Sequence, residues 1–413
     1  MRGGWLRHAP RPALYGYREL SERHVRLLHR AASAEELTVG VEEEYQLVDP
    51  HSGELRGRAR YVIAADWTDD LKQEMQQHTV EVETRVCEGT SCVRDDLARL
   101  RLQAAVAAES AGVRIAAAGV HPFSPAEGYA FTAAPVYQEI RSEYRALAET
   151  QAIFGMHVHV GVPPEVDRVR VCNVARLYLP CLLAMTASSP FYDGADTGYA
   201  SFRSLIWRRW PRSGPPPRLD GGEEMEVLLR WLTETACIDA PGRLYWDLRP
   251  HHRYPTVEFR VTDVTPRLDD AVAAAALARA IVAAVVDGTL TEPALSPAVV
   301  QALLGENSWR ASRDGTRAEF VDLWSPAPWA ESARAAIERL VERVHGHAER
   351  LGDAAELERI GALLDRGSAA HAMRRVAGEN GGDLKELVRW IADETVLGVG
   401  LDRRTLQRAE TTG

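Results

Sequence analysis

The fold of this chain is organised around the stretch Thr256-Val257-Glu258-Phe259-Arg260-Val261-Thr262-Asp263. Polar and apolar side chains alternate along it, and successive side chains of a β-strand point to opposite faces. A strand here would place Glu258, Arg260 and Thr262 on one face and apolar side chains on the other. A solvated outer strand shows the same alternation, so this stretch by itself indicates a strand and no particular chemistry.

Three more stretches of the chain repeat this alternation. Each would place two side chains that can bind a metal ion or phosphate on one face. The pairs are Glu42 and Glu44, Glu81 and Glu83, and His157 and His159. The reverse faces are mostly β-branched or apolar, so the four stretches predict one sheet with one polar face. Glu74 precedes Glu81 by an odd number of residues, so only a bend or bulge would bring both carboxylates to that face.

The composition is that of a folded protein with a large core. Apolar residues make up 46% and charged residues 26% of the 413 residues, which is ordinary for a soluble enzyme. One large α+β domain with a helical C-terminal part is as plausible as two domains. The 49 basic against 59 acidic residues give a net charge of −10, which argues against nucleic acid or an anionic membrane as a partner.

Cysteine usage and the apolar segments favour a cytoplasmic protein. The five cysteines are odd in number and follow no CxxC spacing, which favours reduced thiols over a disulfide framework or a zinc site. The basic N-terminus is not followed by an apolar signal segment. The longest Ala/Val run, residues 271–286, is interrupted by Arg279 and short for a membrane span, so it predicts a buried helix. Beyond Asp270 the pattern is mostly helical.

Familiar nucleotide-binding and nucleophile motifs are absent from the sequence. It has no GxxxxGK[ST] loop, no GxGxxG followed by a suitable helix and no GxSxG elbow, so P-loop, Rossmann and serine-hydrolase folds lack support. A long connection, residues 188–217, is instead rich in glycine, proline, arginine and aromatic residues. Connections of this length are more often functional than idle.

The clustered carboxylates indicate hard divalent cations. Mg²⁺ takes oxygen ligands in near-octahedral geometry, whereas zinc prefers four-coordinate sites rich in nitrogen and sulfur. Several glutamates brought together without cations would raise one another's pKa values. Arginines beside them, here Arg203, Arg249 and Arg260, would bind phosphate or carboxylate groups, although a single arginine is more often a solvated surface charge. Of the two histidines, His157 is a predicted ligand and His159 is not.

Five segments stand out in chain order: GVEEEY at 40–45, GMHVHVG at 155–161, the block 188–217, YWDLRP at 245–250 and TVEFR at 256–260. Together they resemble the carboxylate-amine ligases of the glutamate–cysteine ligase type 2 family, over roughly residues 38 to 375. The resemblance implies an α+β, glutamine-synthetase-like fold, in which a curved, largely antiparallel sheet has helices packed on its convex face. It divides the chain into an N-terminal extension, residues 1–37, and a single catalytic ligase domain, residues 38–413, with a mostly helical C-terminal part.

The resemblance also implies an ATP-dependent carbon–nitrogen ligase. ATP would phosphorylate a carboxylate, such as the γ-carboxylate of a glutamate-like acid, and an amine would attack the acyl phosphate to form an amide. The amine would be an amino acid, with cysteine as one candidate. Two or three Mg²⁺ ions, with Mn²⁺ as an alternative, would accompany the nucleotide. The partners would be small molecules, and a homo-oligomer is left open.

Carried to individual positions, the resemblance implies six metal ligands, Glu42, Glu44, Glu74, Glu81, His157 and Glu258. The implied catalytic residues are Arg260, Arg203 and Glu258, with Arg260 facing the transferred phosphoryl group. The implied contacts to nucleotide and substrate are Arg249, Arg203, Arg260, Asn307, Trp309 and Arg310. The sequence departs from the family pattern at His78 and at residues 370–373, which leaves the acceptor amine and the donor acid open.

Three classes of function remain consistent with the sequence. The first is the ATP-dependent ligase. The second keeps the metal ions but changes the reaction, giving a metal-dependent amide hydrolase or a small-molecule kinase that stops at the phosphorylated product. The third is a non-catalytic nucleotide or amino-acid sensor, which the full set of ligands and arginines makes the least favoured of the three.

Overall fold

The computed structural model of the chain describes residues 36–400, and the predicted N-terminal extension lies almost entirely outside them. Within that range the strands are β1 (Val39–Val48), β2 (Leu71–Gln73), β3 (Thr79–Glu83), β4 (Arg114–Ala116), β5 (Gly155–Gly161), β6 (Phe191–Tyr192), β7 (Ala195–Asp196), β8 (Ser213–Gly214), β9 (Tyr245–Trp246), β10 (Leu248–Pro250), β11 (Thr256–Asp263), β12 (Glu319–Val321) and β13 (Ala330–Ser332). The α-helices are α1 (Ala59–Ala65), α2 (Thr90–Ser110), α3 (Pro135–Tyr144), α4 (Ala146–Glu149), α5 (Arg168–Ala175), α6 (Leu179–Thr186), α7 (Phe202–Trp207), α8 (Gly222–Glu234), α9 (Leu268–Val286), α10 (Pro297–Asp314), α11 (Ala333–Leu351), α12 (Ala354–Arg366), α13 (Ala369–Glu379) and α14 (Leu384–Thr395).

One seven-stranded sheet organises the described residues. Its strand order is β10-β11-β5-β1-β3-β2, with β4 alongside β1, and every neighbouring pair in it is antiparallel. Small two-stranded pairs, β6-β7, β8-β9 and β12-β13, lie outside this sheet. The α+β architecture with a largely antiparallel sheet, which the resemblance implies, is confirmed.

The pairing register aligns polar side chains of neighbouring strands. Glu42 of β1 lies opposite His157 of β5, and Glu44 of β1 lies opposite Glu81 of β3. Directly opposed residues of an antiparallel pair point to the same face. The strands therefore share one polar face, as the alternation in the sequence predicts.

A β-bulge in β11 changes the face to which its last residues point. The register pairs Phe259 with Val158 but Thr262 with Met156, so β11 has one more residue than β5 in this interval. An extra residue reverses the period-two alternation beyond it. The prediction that Thr262 lies on the polar face is wrong, because its hydroxyl donates a hydrogen bond to the Met156 carbonyl on the buried side. Asp263 takes the polar face instead.

Helices cover the apolar side of the sheet. α9 is buried along nearly its whole length and packs against β1 and β5 as well as α2, α6, α11 and α12, which confirms the predicted buried helix at 271–286. The helical character of the chain beyond α9 is also confirmed. Arg168–Thr186 is long and apolar enough to cross a membrane, but 89% of its apolar window is buried inside the protein, as expected of a core segment.

A buried ion pair joins α2 to the sheet. Glu43 of β1 is fully buried and accepts hydrogen bonds from Nη2 and Nε of Arg101 at 2.6 and 2.9 Å. Tyr45 donates a further hydrogen bond to the same carboxylate. Removing one partner of such a pair would leave an uncompensated buried charge, at a cost of about 3–5 kcal/mol. The pair thereby fixes β1, the strand that supplies two of the predicted metal ligands.

Cys87 and Cys92 form a disulfide between the segment after β3 and the first turn of α2. Their Cα atoms lie 5.6 Å apart, which is within the ordinary range for a disulfide. The prediction that all the cysteines are reduced thiols is therefore wrong for this pair, since spacing alone did not show that the chain turns back between them. Cys172 and Cys181 are buried free thiols, and Cys237 is exposed.

Candidate functional site

A cavity of about 280 Å³ lies on the polar face of the sheet. One part of its wall is charged, and the other part is aromatic or apolar. The lining residues are Glu42, Glu44, Glu74, Met75, Gln76, Thr79, Glu81, Tyr137, Ile140, Gln151, Ile153, His157, Arg203, Trp207, Trp210, Tyr245 and Arg260. The cavity therefore contains five of the six predicted metal ligands and two of the three predicted phosphate-binding arginines.

Three of the predicted metal ligands form an acidic cluster in the cavity. One carboxylate oxygen from each of Glu44, Glu74 and Glu81 lies within 4.8 Å of the others. Glu44 and Glu81 are opposed on β1 and β3, and Glu74 lies in the bend between β2 and β3. The bend that the odd spacing requires is thus present. Three oxygen donors at this separation suit a hard divalent cation such as Mg²⁺.

Burial and mutual repulsion shift the acidic cluster toward its protonated form. Burial, reinforced by the charge of Glu74, raises the pKa of Glu44 to about 7. Burial, followed by the charges of Glu74 and the other neighbouring carboxylates, raises the pKa of Glu81 well above its ordinary value. A divalent cation would oppose both shifts because it favours the ionised carboxylates. The residues present therefore fit a bound Mg²⁺ ion.

Glu42 lies between two histidines of β5. Nδ1 of His157 is 2.8 Å from Oε2 of Glu42, and Nε2 of His159 is 3.0 Å from Oε1. Burial alone would raise the pKa of Glu42, but the two histidine contacts outweigh it and hold the pKa well below its ordinary value. Burial and the charge of Arg260 lower the pKa of His157 to about 4. Its imidazole is therefore neutral near pH 7, the form that binds metals.

Glu258, another predicted metal ligand, is buried between two arginines. Arg249 donates a hydrogen bond from Nε to Oε2 at 2.7 Å, and Nη1 of Arg260 contacts Oε1. Burial opposes ionisation of Glu258, but the charges of Arg260 and Arg249 outweigh it and hold its pKa far below the ordinary value. Nη1 of Arg249 also donates to the backbone carbonyls of Gly242 and Leu244. Glu258 and Arg249 are not among the residues of 36–400 that line the cavity, although Glu258 contacts Arg260, which does.

Arg203 and Arg260 enter the cavity from α7 and β11. Nε of each arginine is buried and has no hydrogen-bond partner within residues 36–400. Nη1 of Arg203 lies 3.9 Å from Oδ1 of Asp263, the residue that the bulge turns to this face. A Cβ on Gly155 would overlap the Arg203 guanidinium, so only glycine leaves room for it there. Unpartnered N–H groups on buried cations suit anionic ligands such as phosphate or carboxylate.

Asn307, Trp309 and Arg310 lie on α10 and do not reach the cavity. The Asn307 side chain donates from Nδ2 to the Val321 carbonyl and accepts the Val321 N–H at Oδ1. Nε1 of Trp309 donates to the Tyr199 hydroxyl, and Arg310 pairs with a glutamate of the same helix. These contacts hold the three side chains against β12 and the 188–200 connection, and their implied role in nucleotide binding stays a prediction.

An aromatic wall, formed by Trp207, Trp210 and Tyr245, closes the other part of the cavity. The ring centroids of Trp207 and Trp210 are 6.3 Å apart, and that of Tyr245 lies 5.6 and 5.3 Å from them. The parallel pair β8-β9 brings Tyr245 beside the tryptophans. The sequence signals a functional loop here, and the Arg203–Trp207 spacing of four residues on a helix would place both on one face. The sequence pattern nevertheless does not identify these three rings as site residues.

Comparisons with known sequences identify relatives over most of the chain. The family model described as "Glutamate-cysteine ligase family 2(GCS2)" matches residues 38–390. A protein of Chloroflexus aggregans named "Putative glutamate--cysteine ligase 2" is 37% identical over 366 residues, which cover 88% of this chain and 93% of that protein. A Mycobacterium sp. (strain KMS) protein named "Putative glutamate--cysteine ligase 2-2" is 39% identical over 363 residues, covering 87% of this chain and 98% of its own length.

Solved structures share the fold at lower sequence identity. A bifunctional glutathione synthetase from Pasteurella multocida superposes with a TM-score of 0.64 and 16% identity, over 92% of this chain and 54% of that longer chain. A glutamate–cysteine ligase from Francisella tularensis, solved in complex with AMP, superposes with a TM-score of 0.62 and 11% identity. That match covers 91% of this chain and 92% of the Francisella tularensis chain.

Proposed function

The chain belongs to glutamate–cysteine ligase family 2 and is an ATP-dependent ligase, and we propose that it joins a glutamate-like acid to an amine through an acyl phosphate. The bond formed would be a γ-glutamyl-type amide. ATP, divalent metal ions and two small-molecule substrates are the partners in this reaction. We place the reaction in the cytoplasm, where ATP is supplied.

The observation that supports this proposal is the meeting of two opposite charge clusters in one cavity. The carboxylates of Glu44, Glu74 and Glu81 approach within 4.8 Å of one another. Arg203 and Arg260 line the same cavity, each with a buried Nε that lacks a hydrogen-bond partner within residues 36–400. Carboxylates that need a cation and cations that need an anion match a metal–triphosphate complex.

We propose that different residues bind different metal ions. Glu44, Glu74 and Glu81 would hold one Mg²⁺ ion, while Glu42 and His157 would contribute to a second. We propose two or three ions in total, with Mn²⁺ as a substitute and Glu258 as a ligand once its arginine partners engage phosphate. When bound, Mg²⁺ neutralises phosphate charge and orients the oxygens for in-line transfer.

The arginines would act on the group that is transferred. In the first half-reaction a carboxylate oxygen of the donor acid attacks the γ-phosphorus, the bond to the bridging oxygen of ADP breaks, and an acyl phosphate and ADP result. Arg260 and Arg203 would hold the transferred phosphoryl group and the donor carboxylate together, which replaces a bimolecular encounter by a fixed geometry. In the second half-reaction the amine nitrogen attacks the acyl carbon, the acyl C–O bond breaks and phosphate leaves as the nitrogen loses its proton.

An isotope experiment tests the acyl phosphate directly. Glutamate labelled with ¹⁸O in its γ-carboxylate is incubated with the protein, MgATP and an amine, and the released phosphate is analysed by mass spectrometry. We expect one ¹⁸O atom in each phosphate formed, because the carboxylate oxygen that attacks phosphorus leaves with it. Amide formation with unlabelled phosphate would contradict the acyl-phosphate route.

Measuring ADP release with the acid and the amine added separately and together distinguishes the alternative functions. Release of ADP that needs both acid and amine identifies the ligase, whereas repeated turnover with the acid alone, with one phosphorylated acid accumulating for each ADP, identifies a kinase. Metal-dependent cleavage of an amide without nucleotide identifies a hydrolase. ATP binding without turnover across a broad panel of acids and amines identifies a sensor.

A further inference from the structure

We propose that Asp263 is a positioning residue for the ligase reaction, and that its buried carboxylate holds the Arg203 guanidinium in place in the cavity. The inference rests on the proposed function, in which Arg203 binds the transferred phosphoryl group and the donor carboxylate. Asp263 is not among the residues of 36–400 that line the cavity, so it would act through Arg203. Three features support this role: an ion pair, a chain of hydrogen bonds, and close packing around both side chains.

The Arg203 guanidinium is held by two groups of β11. Nη1 lies 3.9 Å from Oδ1 of Asp263, and Nη2 donates to the Arg260 carbonyl at 3.4 Å. Within residues 36–400, Asp263 is the only carboxylate that approaches a nitrogen of Arg203 within 4.0 Å. Nε has no hydrogen-bond partner in the same part of the chain. The strand therefore holds two nitrogens of the guanidinium and leaves the third for a ligand.

A chain of hydrogen bonds also joins Asp263 to the start of α7. The Ser189 hydroxyl donates to Oδ2 of Asp263 at 2.6 Å and accepts the backbone N–H of Arg203 at 3.1 Å. The Ser201 hydroxyl donates to Oδ1 at 2.8 Å and caps the helix by accepting the Ser204 N–H. One carboxylate thereby fixes both the backbone and the guanidinium of Arg203.

The donors around Asp263 match a carboxylate and not an amide. Asp263 is fully buried, and besides the two serine hydroxyls it accepts the Ser188 N–H at 3.0 Å. Burial raises the pKa of Asp263, and the charge of Arg203 is the largest effect that opposes this rise. A carboxylate presents acceptors on both sides, whereas an asparagine presents an NH2 group on one side. Because the Ser188 N–H needs an acceptor, the NH2 group of an asparagine would face Arg203.

Two glycines fit closely against these side chains. A Cβ on Gly119 would overlap the Asp263 carboxylate, and one on Gly155 would overlap the Arg203 guanidinium. The carboxylate reaches this face because the bulge in β11 shifts the side-chain alternation by one residue. Bulges beside active sites often re-aim a side chain in this way. The bulge and both glycines therefore serve the placement of one arginine.

A double-mutant cycle distinguishes positioning from a purely structural role. Asp263→Asn, Arg203→Gln and the double variant are assayed by ADP release with MgATP, glutamate and hydroxylamine, a small amine that attacks acyl phosphates. We expect Asp263→Asn to lower kcat by about 10²-fold, with a much smaller change in KM for ATP, because the group that orients the reactants is displaced. In the Arg203→Gln background the same substitution should lower kcat no further.

Two further variants separate this effect from a loss of folding. Asp270→Asn is the matched control, because Asp270 is also buried and pairs with Arg366 but lies on α9, outside the cavity lining of residues 36–400. We expect it to lower the free energy of unfolding in urea and to leave kcat unchanged. Ser189→Ala keeps the buried charge and removes one link to α7, so it should lower kcat about fivefold. It too should have no further effect in the Arg203→Gln background.

The inference fails if Asp263→Asn has wild-type kcat, or if Ser189→Ala does where Asp263→Asn does not fold. An equal fold-loss in the wild-type and Arg203→Gln backgrounds would also overturn it, since Asp263 would then act independently of Arg203. The same holds if Asp270→Asn lowers kcat as much as Asp263→Asn. Each of these results leaves the ligase function standing. No ADP release by the wild-type protein with glutamate and hydroxylamine would overturn both.

Discussion

Replacing Glu81 by glutamine tests whether the acidic cluster is a metal site built from mutually repelling carboxylates. The substitution keeps the shape of the side chain, removes one of three carboxylates whose oxygens lie within 4.8 Å, and supplies an amide N–H that donates to Glu74. At that separation and an effective dielectric constant of about 20, two like charges repel by about 3 kcal/mol. Partial protonation of the cluster reduces this repulsion. We therefore expect the metal-free variant to be more stable than the wild-type protein by about 1–3 kcal/mol at pH 8.

The cost of the substitution should appear only in metal binding and turnover. Mg²⁺ should raise the free energy of unfolding of the wild-type protein by RT ln(1 + [Mg²⁺]/Kd), and it should raise that of the variant little. Its kcat should fall by about 10³-fold, because charge on the transferred phosphoryl group is no longer neutralised. Urea unfolding at pH 8 with EDTA or with Mg²⁺ measures the first effect, and ADP release measures the second.

Glu83→Gln is the matched control for Glu81→Gln. Glu83 lies two residues further along β3, pairs with Lys72 at the surface and does not line the cavity. We expect this variant to keep the wild-type response to Mg²⁺ and the wild-type turnover. Near-normal turnover of Glu81→Gln would refute the metal site. A metal-free Glu81→Gln protein less stable than the wild type would refute the repulsion on which the magnitude rests.

Three further predictions follow from the geometry. Arg260→Lys should lower kcat by about 10³-fold, because a point ammonium does not reproduce the planar guanidinium fork; near-normal kcat would remove Arg260 from the phosphoryl site. Gly155→Ala should displace the Arg203 guanidinium and lower kcat/KM by about 10²-fold with little loss of stability; unchanged kinetics would show that Arg203 is not held in place by this contact. His121 is buried with its pKa lowered to about 4, Nε2 donating to Gly53 and Nδ1 accepting two backbone N–H groups. The unfolded chain takes up this proton near pH 6.5 and the folded protein only near pH 4, so the free energy of unfolding should fall by about 3 kcal/mol as pH drops through that window. Urea unfolding of His121→Asn should show a flatter pH dependence than the wild type. An equal slope in both proteins would refute the assignment.

The local sequence pattern determined the strands of the polar face and the buried helix, because side-chain alternation and helical periodicity are properties of short stretches. The polar pairs on successive strands predicted that Glu42, Glu44, Glu81 and His157 would share a face, and the structure confirms it. The apolar run at 271–286 predicted the buried helix for the same reason. The resemblance of the motifs to carboxylate-amine ligases identified the family, which the comparisons confirm.

Tertiary structure decided what depends on where distant segments meet. A single extra residue in β11 turned Thr262 away from the polar face and brought Asp263 to Arg203, and no period in the sequence marks that bulge. The turn between β2 and β3 brought Glu74 to the acidic cluster, and the packing of α10 against β12 kept Asn307 away from the cavity. Tertiary packing also places Glu258 between Arg249 of β10 and Arg260 of its own strand. Side-chain alternation is fixed by the backbone of one strand, whereas the composition of a site is fixed by which segments the whole chain packs together.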